Sequence, residues 1–320
     1  MLQIPELEID AEKPFANDYL ERKGAILKLS ALVVKIDEPL TLAVNARWGS
    51  GKSTFIKMWQ AHLRKEGVHA LHLNSWETDY SQDPLIPILD VMAKYLKAEK
   101  TWAGDKQLIE DFTFSAKVYV KHAATFGAKV ATLGTFEGGE IAQAAAEAAG
   151  NIFSDAFESF NQAKDAVEKI SNTLQRLVAD KEQNIVIFID ELDRCRPTYA
   201  IELLERVKHL FQANRVVFVI SLDKEQLSHS VKSVYGSEFD SENYLDRFFD
   251  VTFDLPDVEA AAYTKYLASV DTFESETENE LFSLLLSVVN LSLRQVNRLI
   301  YRLKLSKTFI TENNGWEVYL

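Results

Sequence analysis

The chain predicts a three-layer α/β fold: a parallel sheet with helices on both faces, interrupted by a helical insertion and followed by a C-terminal helical subdomain. Three observations carry that expectation. Short apolar runs rich in β-branched residues, such as Ile185–Ile189 and Val216–Ile220, read as strands buried on both faces. They alternate with amphipathic helical segments, the order that gives parallel pairing. After Pro256 the pattern turns wholly helical, with ELFSLLLSVV and LRQVNRLIYRLKL.

Taken in order, strands fall near 41–46, 68–74, 185–190, 215–221 and 250–254. The helices between them are KSTFIKMWQAHLRK, PLIPILDVMAKYLKA, a long one ending near Asp180, TYAIELLERVKHLFQ and KEQLSHSVKSVY. Residues 1–255 are expected to form the core, with the helical insertion at about 103–183, and residues 256–320 a smaller lid-like subdomain.

The first strand runs into Ala46-Arg47-Trp48-Gly49-Ser50-Gly51-Lys52-Ser53, and a helix follows at once. Strand, Gly-containing loop, Lys-Ser and helix form the pattern of a phosphate-binding loop. Gly49 and Gly51 let backbone amides close around a polyphosphate, and the start of the helix points its positive dipole end at the same anion. Lys52 is placed to reach the β- and γ-phosphates and Ser53 to ligate Mg²⁺, with Thr54 beside it in the first helical turn. Ala46 stands where the full motif has its first glycine, a small replacement that fits sterically.

The strand IVIFID ends in acid. Asp190 is positioned to hold Mg²⁺ directly or through water, and Glu191 to orient and deprotonate an attacking water. A loop and an acidic strand end of this kind make the core that of a P-loop NTPase.

The Trp48–Ser53 loop, IDELDRCRP and VVFVISLDKEQL together resemble the KAP family of P-loop NTPases. NSW at Asn74–Trp76, YLDRFFD at Tyr244–Asp250 and SLRQVNRLI at Ser292–Ile300 are similar to the family's later motifs in the same order, so the resemblance covers roughly 12–310. It implies ATP with Mg²⁺ as ligand, hydrolysis that drives a conformational or assembly switch, and a role in phage defence. A nucleotide-stabilised interaction module with little turnover is the alternative. ATP over GTP rests on the resemblance and on the absence of an Asn-Lys-x-Asp motif. The resemblance also implies roles for later residues. Ser221 or Asp223, after the VVFVI strand, stands where related NTPases place a polar sensor, or else caps the next helix. Arg247, in YLDRFF, stands where related assemblies present an arginine to a neighbouring site, or else pairs structurally with Asp246 or Asp250. Arg294 and Arg298 either touch a phosphate or form a solvated basic face opposite Val296, Leu299, Ile300 and Leu303.

Composition narrows the partners. The net charge of −13 disfavours broad attraction to nucleic acid or anionic membranes. One cysteine cannot form an intramolecular disulfide, which fits a reducing compartment, and MLQIPELEIDAEK lacks the basic start and apolar core of a signal peptide. No apolar run approaches the roughly 18–20 residues of a membrane helix. A cytoplasmic protein is expected, forming a homo-oligomer in some states.

The insertion is the unusual part. GGEIAQAAAEAAGNIF is helix-prone with little bulk to bury. Phe153, Phe157, Phe160, Val167, Ile170, Leu174 and Leu177 then predict one apolar stripe along a long helix. Membrane-bound relatives carry their spans at this position, yet Lys117, Lys121, Lys129, Glu137, Glu140 and Glu147 interrupt it here. The hairpin packs on the core or on an identical subunit, or it meets a protein partner or membrane surface. His69, His72, His209 and His229 complete no zinc spacing. Trp76 is expected to anchor the end of the second strand. Cys195 lies between Arg194 and Arg196, which would lower its thiol pKa, but no base adjoins it.

Overall fold

The computed structural model describes residues 8–99, 102, 104–132, 140–181, 183–210, 213–256, 280, 284 and 293–312; within these, 124–132, 140–157, 180–181, 209–210, 304 and 306–312 are described by backbone alone. Five strands form one wholly parallel sheet: β1 (Leu40–Asn45), β2 (His69–Asn74), β3 (Ile185–Asp190), β4 (Val216–Leu222) and β5 (Val251–Asp254). Their spatial order is β2-β3-β4-β1-β5. The register sets Val44 beside Ser221 and Asn74 beside Asp190, so the strands end together at one edge of the sheet. Expected and observed strands agree to within one residue at each end.

Alternation along the buried strands divides their side chains between two cores. Leu42, Val44, Val186, Phe188, Val217 and Val219 face α1 (Lys23–Lys35) and α2 (Lys52–Lys65). There Trp59 is fully buried, edge-on to Phe188 at 5.2 Å. On the other face Ala43, Ile187, Ile189, Phe218 and Ile220 pack with α3 (Leu85–Ala98), α4 (Lys106–Thr132), α5 (Glu140–Lys181), α6 (Pro197–Leu210), α7 (Lys224–Tyr235) and α8 (Ser241–Asp246). Two helical layers around a sheet complete the three-layer fold. α1, α4 and α8 are additions to the helices expected from pattern, α1 because its apolar residues are too evenly spread to mark a face. Asn184 ties α1 to the sheet, donating to Val33 O and Ile36 O, both at 2.7 Å.

The base of the insertion belongs to the second core. Trp102, Phe112 and Tyr119 on the α4 side and Ala166, Ile170, Leu174 and Leu177 on α5 are buried with the sheet residues. The Tyr119 hydroxyl donates to Asp83 Oδ2 at 2.5 Å. The buried line along α5 differs from the expected stripe: it passes through Ser159, Ala166, Ile170 and Leu174, and Phe160 is 48% exposed. Small residues line the α5 face because a neighbouring helix, α4, runs close against it. Phe153, Phe157 and the alanine-rich stretch lie outside the described side chains. Among the described residues no helix is long and apolar enough to cross a membrane. A last helix, α9 (Leu293–Glu312), buries Val296 and Ile300, while most of the expected ELFSLLLSVV helix falls outside the described residues.

Leu174→Ala should therefore destabilise the whole fold by about 2–5 kcal/mol, whereas Phe160→Ala should stay within about 0.5 kcal/mol. Equal denaturant midpoints for the two variants would show that the insertion's base is not part of the core.

Candidate nucleotide site

β1 ends at Asn45 and the loop 46–51 turns into α2. Gly49 and Gly51 hold φ of 81° and 89°, left-handed values that a side chain would strain. Ala46 N–H donates to Leu222 O at 3.1 Å, which hangs the loop on the end of β4. Lys52 Nζ donates to Ala46 O at 2.5 Å and Arg47 O at 3.3 Å. Burial lowers the Lys52 pKa, and the carboxylates of Asp193, Asp223 and Asp190 work against that shift. Ser53 and Thr54 are half-buried in the first turn of α2, and Arg47 is exposed beside them. Ser50 Oγ is buried with no hydrogen-bond partner among the described residues.

Two strands over, β3 delivers the acids. Asp190 is 4% exposed, its Oδ1 accepting from Glu191 N–H at 2.9 Å. Glu191 takes φ of 63°, a left-handed conformation costing on the order of 1–3 kcal/mol, as the chain swings off the strand into a short helical turn at Leu192–Arg194. Its carboxylate receives Arg194 Nη1 at 2.8 Å and lies 3.5 Å from Asn74 Nδ2. Burial raises the Glu191 pKa, and Arg194 opposes that.

The loop and the acidic segment also meet directly. Trp48 Nε1 donates to Asp193 Oδ2, and Trp48 N–H donates to Asp223 Oδ2 at 3.1 Å. Asp223 is at the same time the N-cap of α7, its Oδ1 accepting from Gln226 N–H at 3.2 Å. The cap reading thus holds for Asp223, with a loop tie added. Ser221 is fully buried in β4, its hydroxyl without a partner among the described residues.

α9 closes on the loop from the other side. Leu293 N–H donates to Gly49 O at 3.1 Å, and Leu293 Cδ1 stands 3.4 Å from where a Cβ on Gly51 would be. Arg294, one residue on, is near enough to Arg194, Arg298, Glu191 and Asp193 to feel all four charges, and partial burial lowers its pKa. Arg294 is exposed at the start of α9, beside the charges of the acidic turn.

Arg247 follows α8 and is exposed, and Asp250, three residues on, donates its N–H to Thr41 O at 2.8 Å. The expected ion pairs are taken by other cations: Lys224 holds Asp246 at 2.5 Å and Lys208 holds Asp250 at 2.7 Å.

Asn74, Asp193 and Arg194 lie inside motifs marked in the sequence but had no role assigned there; Asn74 ends β2, Asp193 and Arg194 follow β3, and only the fold shows which side chains turn inward. Trp76 does not anchor β2; it is 52% exposed, with the Arg194 guanidinium 5.5 Å above its ring. Cys195 reverses the expected shift, since burial pushes its thiol up to about 12 while Arg194 and Arg196 are engaged with Glu191 and Asp79. His69 is a core histidine between the Tyr95 hydroxyl at 3.0 Å and Gln183 Oε1 at 2.8 Å.

An open depression of about 370 Å³ borders the loop at Asn45–Arg47, but Asp223, Glu225 and Asp254 line it. Such a lining repels a polyphosphate. The side that suits one carries Lys52, the loop amides, Arg194 and Arg294.

The KAP family P-loop domain matches residues 22–310. The Phage T7 exclusion protein of Escherichia coli (strain K12) is 22% identical over 240 residues, which are 72% of this chain and 32% of that protein, so the chain spans about a third of the relative's length. Among solved structures, the Aeropyrum pernix ORC2 protein in ADPNP–ADP complexes aligns with 84% of this chain and 59% of its own, at 12% identity and a TM-score of 0.40. C. elegans PCH-2 aligns with 79% of this chain and 46% of its own, at 14% identity and a TM-score of 0.30. Both structural likenesses are too distant to argue from. The family match, by contrast, runs from the residue before α1, through the loop and both acidic strand ends, into the helix that closes on the loop, and so the chain belongs to the KAP family of P-loop NTPases.

Proposed function

We propose that the chain is a Mg²⁺-dependent ATPase acting on the β–γ phosphoanhydride in the cytoplasm, its cycle driving a conformational or assembly switch that serves phage exclusion. The observation that carries this reading is the convergence of Lys52, the left-handed glycines and the acidic end of β3 at one edge of the sheet. Family membership supports nucleotide binding, and the similarity to the Phage T7 exclusion protein supports the link to phage. In this reading 256–320 is a lid and residues 103–183 are the surface for a protein partner.

The amides of Gly49, Gly51, Lys52 and Ser53, with the Lys52 side chain, hold the β- and γ-phosphates, and Arg294 reaches them from the lid side. Mg²⁺ takes one or two protein oxygens and fills its shell from phosphates and water. Ser53 Oγ and Asp190, whose Oδ2 is left by the Oδ1 contact to Glu191 N–H, would hold it. When bound, the ion neutralises charge on the phosphate oxygens. Glu191 takes a proton from water as it attacks the γ-phosphorus, the bond to the β-phosphate oxygen breaks, and ADP leaves. The buried hydroxyl of Ser221 stands one strand from Asp190, available to a phosphate oxygen or the attacking water.

A second reading, a nucleotide-stabilised module with little turnover, is favoured by one contact: the Arg194–Glu191 ion pair occupies the carboxylate that must act as base.

Lys52→Ala should weaken ATP binding by roughly ten- to a hundredfold without unfolding the chain, because a charge-assisted phosphate contact is lost and no core contact is. Unchanged affinity in the folded variant, by calorimetry, would remove the loop from the site. Glu191→Gln should keep ATP bound and slow hydrolysis by about 10²–10⁴-fold; wild-type turnover would place the base elsewhere.

Arg247, exposed after α8, serves a site in a second copy. Specific activity should rise with protein concentration, and Arg247→Ala should lose roughly 10³–10⁵ in rate while binding ATP. Mixing Arg247→Ala with Lys52→Ala should restore part of the activity by pairing an intact pocket with an intact arginine. Flat specific activity on dilution, with no rescue, returns Arg247 to a surface role.

A further inference from the structure

Arg194, in the IDELDRCRP segment, is the cation of the site to which the motifs assign no nucleotide role, and its surroundings give it two alternative partners. Its guanidinium is held at 2.8 Å by Glu191 and lies 5.5 Å over the Trp76 ring. Only 28% of its side chain is exposed, against 16% for Glu191, so the pair is largely withdrawn from water. The same guanidinium is close enough to Lys52 and to Arg294 for each to be disfavoured by its charge. Three cations thus converge, with Glu191, Asp190, Asp193 and Asp223 among the described residues to offset them. A second guanidinium beside Arg294 is electrostatically costly unless an anion stands between the two. A triphosphate supplies such an anion, and a planar guanidinium matches its oxygens better than it matches a single carboxylate oxygen held through one nitrogen.

Resting on the nucleotide site proposed above, we propose that Arg194 is a two-position residue: with no γ-phosphate present it neutralises and blocks Glu191, and the terminal phosphate of ATP draws it away, freeing Glu191 to act on water. Arg194 thereby reads the γ-phosphate and regulates the base in the same movement. Asn74, 3.5 Å from Glu191, remains to orient the released carboxylate. Trp76 is the built-in reporter, because the charge over its ring departs when Arg194 moves.

The test compares ADP with a nonhydrolysable ATP analogue on the full chain. In the wild type the analogue should bind roughly ten- to a hundredfold more tightly than ADP, the range of a charge-assisted hydrogen-bonded contact. Arg194→Gln should reduce that ratio by roughly tenfold or more while leaving ADP affinity as it was, and Arg194→Lys should restore part of it. Tryptophan emission should change with the analogue and not with ADP, and the change should be absent in Trp76→Phe and in Arg194→Gln. A folded Arg194→Gln that keeps the wild-type ratio, or an emission change that survives in it, overturns the proposal while Lys52-dependent binding leaves the nucleotide site standing. If the wild type binds neither nucleotide, both readings fall together.

Discussion

The parallel pairing of β1 with β4, and of β4 with β3, is the constraint from which the rest of the site follows. Parallel strands joined by crossovers must all end at the same edge, so the loop after β1 and the acids after β3 are brought to one place, where the Trp48–Asp193 hydrogen bond joins them. The register then sets the detail: Val44 lies beside Ser221, and Ala46 hangs from Leu222 O. Lys52 Nζ stays over the end of β1, bonded to Ala46 O and Arg47 O and within the influence of Asp193, Asp223 and Asp190. Shifting the β1–β4 pairing by one residue would turn Leu42 and Val44 to the opposite core and carry the loop away from Asp190.

Charge at this edge is balanced locally although the chain as a whole is acidic. Lys52, Arg194 and Arg294 face Asp190, Glu191, Asp193 and Asp223, and burial acts on both sets, lowering the Lys52 and Arg294 pKa values and raising that of Glu191. A site so arranged is stable because every buried charge has an opposite neighbour. It is also responsive, because an arriving polyanion upsets the balance and favours rearrangement of the weakest pair. Asp193 and Asp223 are the fixed members. They hold the Trp48 indole and amide, and Asp223 also caps α7. The Arg194–Glu191 pair, three residues apart on a short turn, has no such second anchor on the carboxylate beyond a 3.5 Å approach from Asn74.

Much of this was legible from residues alone because the signals are local. A strand buried on both faces writes itself as a β-branched run, and a loop that must present amides to a phosphate writes itself in glycines at positive φ. What was not legible depends on which way a side chain turns after the backbone has left the strand. Trp76 had the bulk of an anchor, yet the short helical turn after Asn74 carries it outward under Arg194. Phe160 fitted a three-four spacing, but α4 packs so close to α5 that serine and alanine take the buried line instead. Cys195 was surrounded by arginines in sequence, and both turn to carboxylates while the thiol is buried. In each instance the sequence neighbour was visible and the spatial one was not.

The segment from Asn74 to Asp83 joins the site to the insertion. At its start Ser75 donates to Asp190 O through both its N–H, at 3.0 Å, and its hydroxyl, at 2.7 Å, while Asn74 approaches Glu191. At its end Asp83 accepts the Tyr119 hydroxyl from α4, receives Leu85 N–H at 2.9 Å and faces Arg206 of α6 at 3.7 Å. Between these ends Asp79 and Ser81 accept from Arg196, which follows the acidic turn. Displacing one end of so densely bonded a piece of backbone leaves acceptors to be satisfied again at the other, at roughly 1–3 kcal/mol for each buried group. The acidic end of β3 and the base of the hairpin are therefore mechanically one body. A hairpin joined through a flexible linker would keep its position whatever happened at Glu191, whereas this one is held by the same ten residues that hold the acid.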